Sequence, residues 1–336
     1  MDTAQDRIDS FMGQWREQRE SVDPAAWEPA TLGTSSRPGV ALPASMPAEV
    51  AQWRAQGRIV PLCGEELFVA DQGPREAPVV TMLHGFPGSS WDFCWLSALT
   101  SGRVRTVVFD FPGYGMSTKP ATGDYSLARL ADLTGALLSH LGVGACALYG
   151  HDIGSTLVAE LLMRRCEGRL GFTPTRVFIT DGTIFTDQAR FAPGLLALLS
   201  LPDEPLAEAL RVEQFLPQIR RLFSREHPLR PADEIALLWL LPFRQGDRLL
   251  PRLVRYVDER RAQQDRWTQG LASFPGQMTV LWGEQDPSAV VAIARHLGAI
   301  RPATEVITWP DVGHWPHYEV PQRVADHILG RVAAHA

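Results

Sequence analysis

The feature that most constrains this chain is a series of short apolar runs separated by helical patterns. "PVVTML", "VRTVVF", "ACALY" and "RVFIT" are continuous rather than alternating, as strands buried on both faces must be. Between them, residues 126–141 carry a helix signature. Ser126 is placed to cap it, Leu127, Leu130, Leu133, Leu137 and Leu141 mark one face, and Gly142 stops it. Such alternation predicts an α/β fold with a mostly parallel sheet and helices on both faces. "RIVPLC" and "ELFVAD", separated by Gly64-Glu65, predict an antiparallel pair at the start. The alternation breaks after residue 182 and resumes with "QMTVLW" and "TEVITW". The expected organisation is an N-terminal arm (1–45), a first core segment (46–182), a helical lid (183–270) and a second core segment (271–336).

Composition narrows the function classes. With 336 residues, 45% of them hydrophobic, the chain can fill one large core. The formal charge of −6 comes without a basic face, which argues against nucleic acid as a partner. The four cysteines have neither close pairing nor metal-ligand spacing, and the first 20 residues are charged throughout. We therefore expect a cytoplasmic protein, monomer or homodimer, with no metal and no cofactor. "GVGACALYG" lacks the order of a phosphate cradle. The apolar stretch "GLLALLSL" is too short to span a bilayer.

Four loops follow predicted strands, at the end of the sheet where open α/β folds bind ligands. They are "HGFPGSS" (84–90), "GHDIG" (150–154), "GEQDP" (283–287) and "DVGHWPHYE" (311–319). With "FDFPGYGMS" (109–117), these motifs resemble the α/β-hydrolase superfamily, whose members carry nucleophile, acid and histidine in that order. The resemblance covers about residues 58–334. It implies an eight-stranded sheet with an inserted helical lid. It also implies Asp152 as nucleophile, Asp286 as the acid, His314 as the base, and backbone donors at Phe86 and Ile153 forming an oxyanion hole. Asp181, after the sixth run, is a reserve for the acid.

An aspartate at the nucleophile position selects the chemistry. An ionised carboxylate needs no base to attack, and at saturated carbon it forms an alkyl ester that histidine-activated water can hydrolyse. Epoxides and alkyl halides are the matching substrates. The "HGFP" loop and the segment "YVDERRAQQDRW" (256–267) resemble epoxide hydrolases, and Tyr256 stands where their lid tyrosine polarises the ring. A haloalkane dehalogenase would need indole donors for halide, for which Trp239 and Trp267 are the candidates. Ile153 departs from both families, which usually carry tryptophan after the nucleophile. His317 is expected as a loop or pocket-wall residue, and the arginine-rich segments 218–230 and 252–266 as solvated helix faces. The lid's aromatic residues predict an apolar pocket and a hydrophobic small-molecule substrate. A non-catalytic binding protein on the same scaffold is the alternative from another class. The overall likeness is closest to the mesoderm-specific transcript group and its bacterial relatives, through "TDGTIF" and "RWTQGLAS".

Overall fold

The computed structural model describes residues 45–332 apart from 211, 213 and 214; the expected arm, up to its last residue, lies outside the described part. Eight strands form one sheet: β1 (Arg58–Leu62), β2 (Glu65–Gln72), β3 (Val79–Leu83), β4 (Arg105–Phe109), β5 (Ala145–His151), β6 (Thr173–Thr180), β7 (Gln277–Gly283) and β8 (Glu305–Trp309). Their order is β1-β2-β4-β3-β5-β6-β7-β8. β1 pairs with β2, and β2 with β4, antiparallel; every later pairing is parallel. The first turn is made by Cys63 and Gly64, both with positive φ (51° and 85°), one residue earlier than the expected Gly64-Glu65. Two positive φ values give the twist that a two-residue hairpin needs.

The parallel strands are buried on both faces, which explains their unbroken apolar runs. Leu148, Val177 and Ile179 pack into a core with the helices Leu127–His140, Ile153–Cys166 and Tyr256–Ala272. Ala147, Tyr149 and Phe178 point the other way, toward Phe93, Leu96, Val324 and Ile328. The capping expectation is met: the Ser126 hydroxyl accepts the Arg129 N–H at 3.2 Å, and Gly142 takes a φ of 69° past the helix end. Between β6 and β7 the described chain is helical, including Pro193–Ser200, Leu216–Arg220, Pro231–Leu240 and Tyr256–Ala272. None of the described helices is long and apolar enough to cross a membrane. None of the four cysteines is in a disulfide.

This topology fixes where a site can form. The chain winds outward from β3 in both directions, so the loops after β3 and β5 open side by side where the strand order reverses. Such a switch point leaves a crevice at the carboxyl ends of the strands.

Candidate active site

Asp152 occupies the one-residue turn between β5 and the helix Ile153–Cys166, with φ 47° and ψ −107°. A non-glycine residue held there costs of order 1–3 kcal/mol, which surrounding structure must enforce. Its neighbours show how. A Cβ on Gly150 would lie 2.5 Å from the Gly154 carbonyl oxygen, and one on Gly154 would lie 1.9 Å from the Leu83 carbonyl oxygen. The two glycines therefore let helix and sheet close tightly on either side of the aspartate.

Both carboxylate oxygens of Asp152 are engaged. The Phe86 N–H donates to Oδ2 at 2.9 Å, so the loop after β3 places a backbone donor against the carboxylate. Ile153 begins the helix, where N–H groups lack intrahelical acceptors, and its side chain is in the core. On the other side Arg260 donates to Oδ1 at 3.0 Å and to the Asp152 carbonyl at 2.7 Å. The guanidinium also bonds the hydroxyls of Thr156, at 2.7 Å, and Thr183. It lies 4.5 Å from the Tyr256 ring centroid and has no solvent exposure. This corrects the expectation that segment 252–266 is solvated throughout. The signal was present in the sequence: position 260 falls on the stripe of Tyr256, Val257, Trp267 and Leu271, the buried face of its helix.

His314 is positioned by the segment between β6 and β7 and by the loop after β7. Its N–H donates to the Leu222 carbonyl at 2.8 Å, and its Nδ1–H to Asp286 Oδ2 at 2.7 Å. Asp286 Oδ1 accepts from the amides of Ser288 and Ala289 at 2.7 and 2.9 Å, so its carboxylate is fixed. Burial alone would push the imidazole down; the charge and hydrogen bond of Asp286, joined by the Asp152 charge, outweigh it and raise His314 above its ordinary value. Asp181 is buried behind Asp286, and burial followed by the Asp286 charge pushes it well above the usual carboxylate range. Asp181 Oδ1 accepts the Gly283 amide at 3.2 Å, while the imidazole hydrogen bond goes to Asp286.

Asp152, His314, Phe86 and Tyr256 line one cavity of about 700 Å³, open mouth included, whose remaining wall is mostly apolar. Phe191, Leu195, Leu198, Phe215 and Ile219 supply that wall from the segment between β6 and β7. Burial, then the Asp152 charge, raises the Tyr256 hydroxyl well above its usual value, which keeps it protonated and able to donate.

Three expected pocket residues lie elsewhere. Trp267 is buried against the helix Ile153–Cys166 and donates its indole N–H to Glu160 at 2.9 Å. Trp239 stacks on Phe243 with centroids 4.7 Å apart. His317 is fully buried beneath the loops, 4.5 Å from the His151 ring centroid. Each satisfies packing or hydrogen bonding that a linear reading does not reveal.

Residues 82–327 match the alpha/beta hydrolase family. The chain belongs to this family. The bacterial protein that carries the hydrolase name LipZ, from Mycobacterium tuberculosis, is 33% identical over 281 residues, covering 83% of this chain and 96% of that one. The mesoderm-specific transcript homolog protein of Homo sapiens is 30% identical over 303 residues, covering 86% and 89%. Both agree with the resemblance drawn from the motifs. Among solved structures, a haloalkane dehalogenase loop variant from Bradyrhizobium elkanii superposes with a TM-score of 0.67 at 20% identity, covering 83% of this chain and 96% of that one. At that identity the likeness concerns the fold alone. Membership of the family supports hydrolysis as the coarse function.

Proposed function

We propose that this hydrolase uses Asp152 to attack saturated carbon and that its substrate is a hydrophobic epoxide. The observation that carries the reading is the convergence on one apolar cavity of a carboxylate at a strained turn, the Asp286-paired His314 and Tyr256. In the proposed cycle a lone pair of Asp152 forms a C–O bond as the ring C–O bond breaks, and the departing alkoxide takes the Tyr256 proton. His314 then removes a proton from water as its oxygen adds to the ester carbonyl. The acyl–oxygen bond breaks, the leaving oxygen takes the proton held by His314 to give the diol, and the proton left on the new Asp152 carboxyl passes to the tyrosinate, which restores carboxylate and phenol. The Phe86 amide stabilises the oxyanion formed on Oδ2.

Dehalogenation is the weaker reading, because the described cavity wall contains no tryptophan to hold a halide. The segment between β6 and β7 serves as the lid in this scheme, and a cytoplasmic setting suits the four unpaired cysteines. The test is incubation of wild type and His314→Ala protein with styrene oxide-type and aliphatic epoxides. We expect diol from wild type and an alkyl adduct on Asp152, seen by mass spectrometry, from the variant. Absence of both across the panel, with alkyl bromides also inert, would favour a binding protein.

A further inference from the structure

A second polar cluster lies under the active-site loops. It joins Asp92, from the short helical turn after the β3 loop, His151, the last residue of β5, and His317, from the turn after β8. Each offers one ligand atom, and these atoms lie within 4.8 Å of one another. All three residues are at most 2% exposed. Asp92 Oδ2, His151 Nδ1 and His317 Nε2 have no hydrogen-bond partner. Unpartnered polar atoms on three buried neighbouring side chains are costly unless something binds them.

The opposite atom of each side chain is held. His151 Nε2 lies 2.8 Å from the His314 carbonyl, which can only accept, so the ring hydrogen sits on Nε2 and Nδ1 presents a bare lone pair. Asp92 Oδ1 accepts from the Tyr318 hydroxyl at 3.1 Å and the Ser89 amide at 3.2 Å. His317 Nδ1 lies 3.4 Å from the Tyr149 hydroxyl. Metal-binding imidazoles and carboxylates are oriented in this way, through the atom that does not touch the ion. The loop after β3 packs closely on two of these side chains. A Cβ on Gly88 would fall 2.0 Å from Asp92 Oδ2, and one on Gly85 would fall 2.8 Å from His151 Nδ1.

We propose that Asp92, His151 and His317 hold one divalent transition-metal ion through three protein ligands, leaving a further position for water, with zinc fitting the donor set best. Two imidazoles and a carboxylate suit a borderline ion better than calcium or magnesium. Zinc with bonds of about 2.0–2.1 Å keeps tetrahedral ligand atoms roughly 3.3 Å apart, so closure asks each side chain to move by under about 1 Å. The ion would tie together the loops that carry the Phe86 amide, Asp152 and His314. This departs from the expectation of no metal, which rested on spacing: Asp92, His151 and His317 stand far apart in the chain and form no ligand motif. The proposal does not depend on the substrate or on Asp152 being the nucleophile.

The full chain, expressed in cobalt-supplemented medium and dialysed against a chelator, tests it by elemental analysis and visible absorption. Expected is roughly one cobalt per chain with the ligand-field bands of a four- or five-coordinate nitrogen–oxygen site, and loss of both in Asp92→Asn and His317→Phe proteins. Circular dichroism checks that each variant is folded; if Asp92→Asn is not, His317→Phe decides. Wild-type protein that holds no cobalt, or a folded His317→Phe protein that holds as much as wild type, overturns the proposal. In those cases the pocket is a hydration site or the metal is bound adventitiously elsewhere.

Discussion

The buried pair between Asp152 and Arg260 gives a prediction whose size follows from geometry. Their charged atoms are 3.0 Å apart, with side-chain exposures of 6% and 0%. At an effective dielectric constant near 20, unit charges at that distance attract by about 5–6 kcal/mol. Desolvation of both ions offsets much of this, but removing one partner strands the other, at about 3–5 kcal/mol. Arg260→Met should therefore destabilise the protein by that amount, with a further loss from the Thr156 and Thr183 hydrogen bonds. Asp152→Asn should cost less, because the amide oxygen still accepts from the guanidinium. The double variant carries neither charge and should fall well short of the summed losses, with a coupling of roughly 2–3 kcal/mol. Urea titrations followed by both circular dichroism and tryptophan fluorescence measure all four proteins. Losses that add within about 0.5 kcal/mol would refute the claim that these side chains act as one buried ion pair.

Tyr256→Phe should lower kcat/KM for epoxides about 100-fold or more while leaving alkyl bromide turnover, if any, little changed; steady-state kinetics on both classes reads this. His314 must be neutral to take the water proton, and the paired Asp286 raises it above its ordinary value, so the water step should fail on the acid side. Asp286→Asn removes the charge and the charged hydrogen bond that do most to raise it, so the midpoint should move to lower pH while kcat falls, as a pH–rate profile would show. Gly154→Ala forces a Cβ to 1.9 Å from the Leu83 carbonyl and should cost about 3 kcal/mol or more, whereas Gly135→Ala, with nothing within 4 Å, should stabilise its helix by up to about 1 kcal/mol; chemical denaturation compares them.

What the sequence makes legible divides along physical lines. The strands could be read because burial on both faces leaves unbroken apolar runs, and Ser126 and Gly142 because capping is local chemistry. The loops with Asp152, Asp286 and His314 could be placed because each follows such a run. Contacts set by packing between distant segments could not. Trp267 looks like a pocket aromatic until the helix Tyr256–Ala272 meets Glu160. Trp239 has its own stacking partner, and His317 turns inward rather than into the cavity. Arg260 was hidden by its charged neighbours, although its spacing from Tyr256 put both on one helix face.

Arg260 also bears on which substrates the proposed mechanism can accept. In the free protein it faces an anion, whereas an ester on Asp152 would be neutral and leave the guanidinium buried without its partner. The pair thus opposes alkylation and favours every step that restores the carboxylate. Oδ2 is held by the Phe86 amide, as the future carbonyl oxygen should be, so Oδ1 is the attacking atom in this scheme. Oδ1 carries the Arg260 contact, but a carboxylate oxygen has a second lone pair and can accept from a guanidinium while it attacks. A nucleophile moderated in this way needs a substrate that brings its own driving force. Ring strain supplies it in an epoxide, and the Tyr256 proton captures the charge that ring opening releases. An unactivated leaving group would face the same moderated carboxylate without either help, which is why the electrostatics of the pair and the composition of the cavity wall both favour the ring-opening reaction.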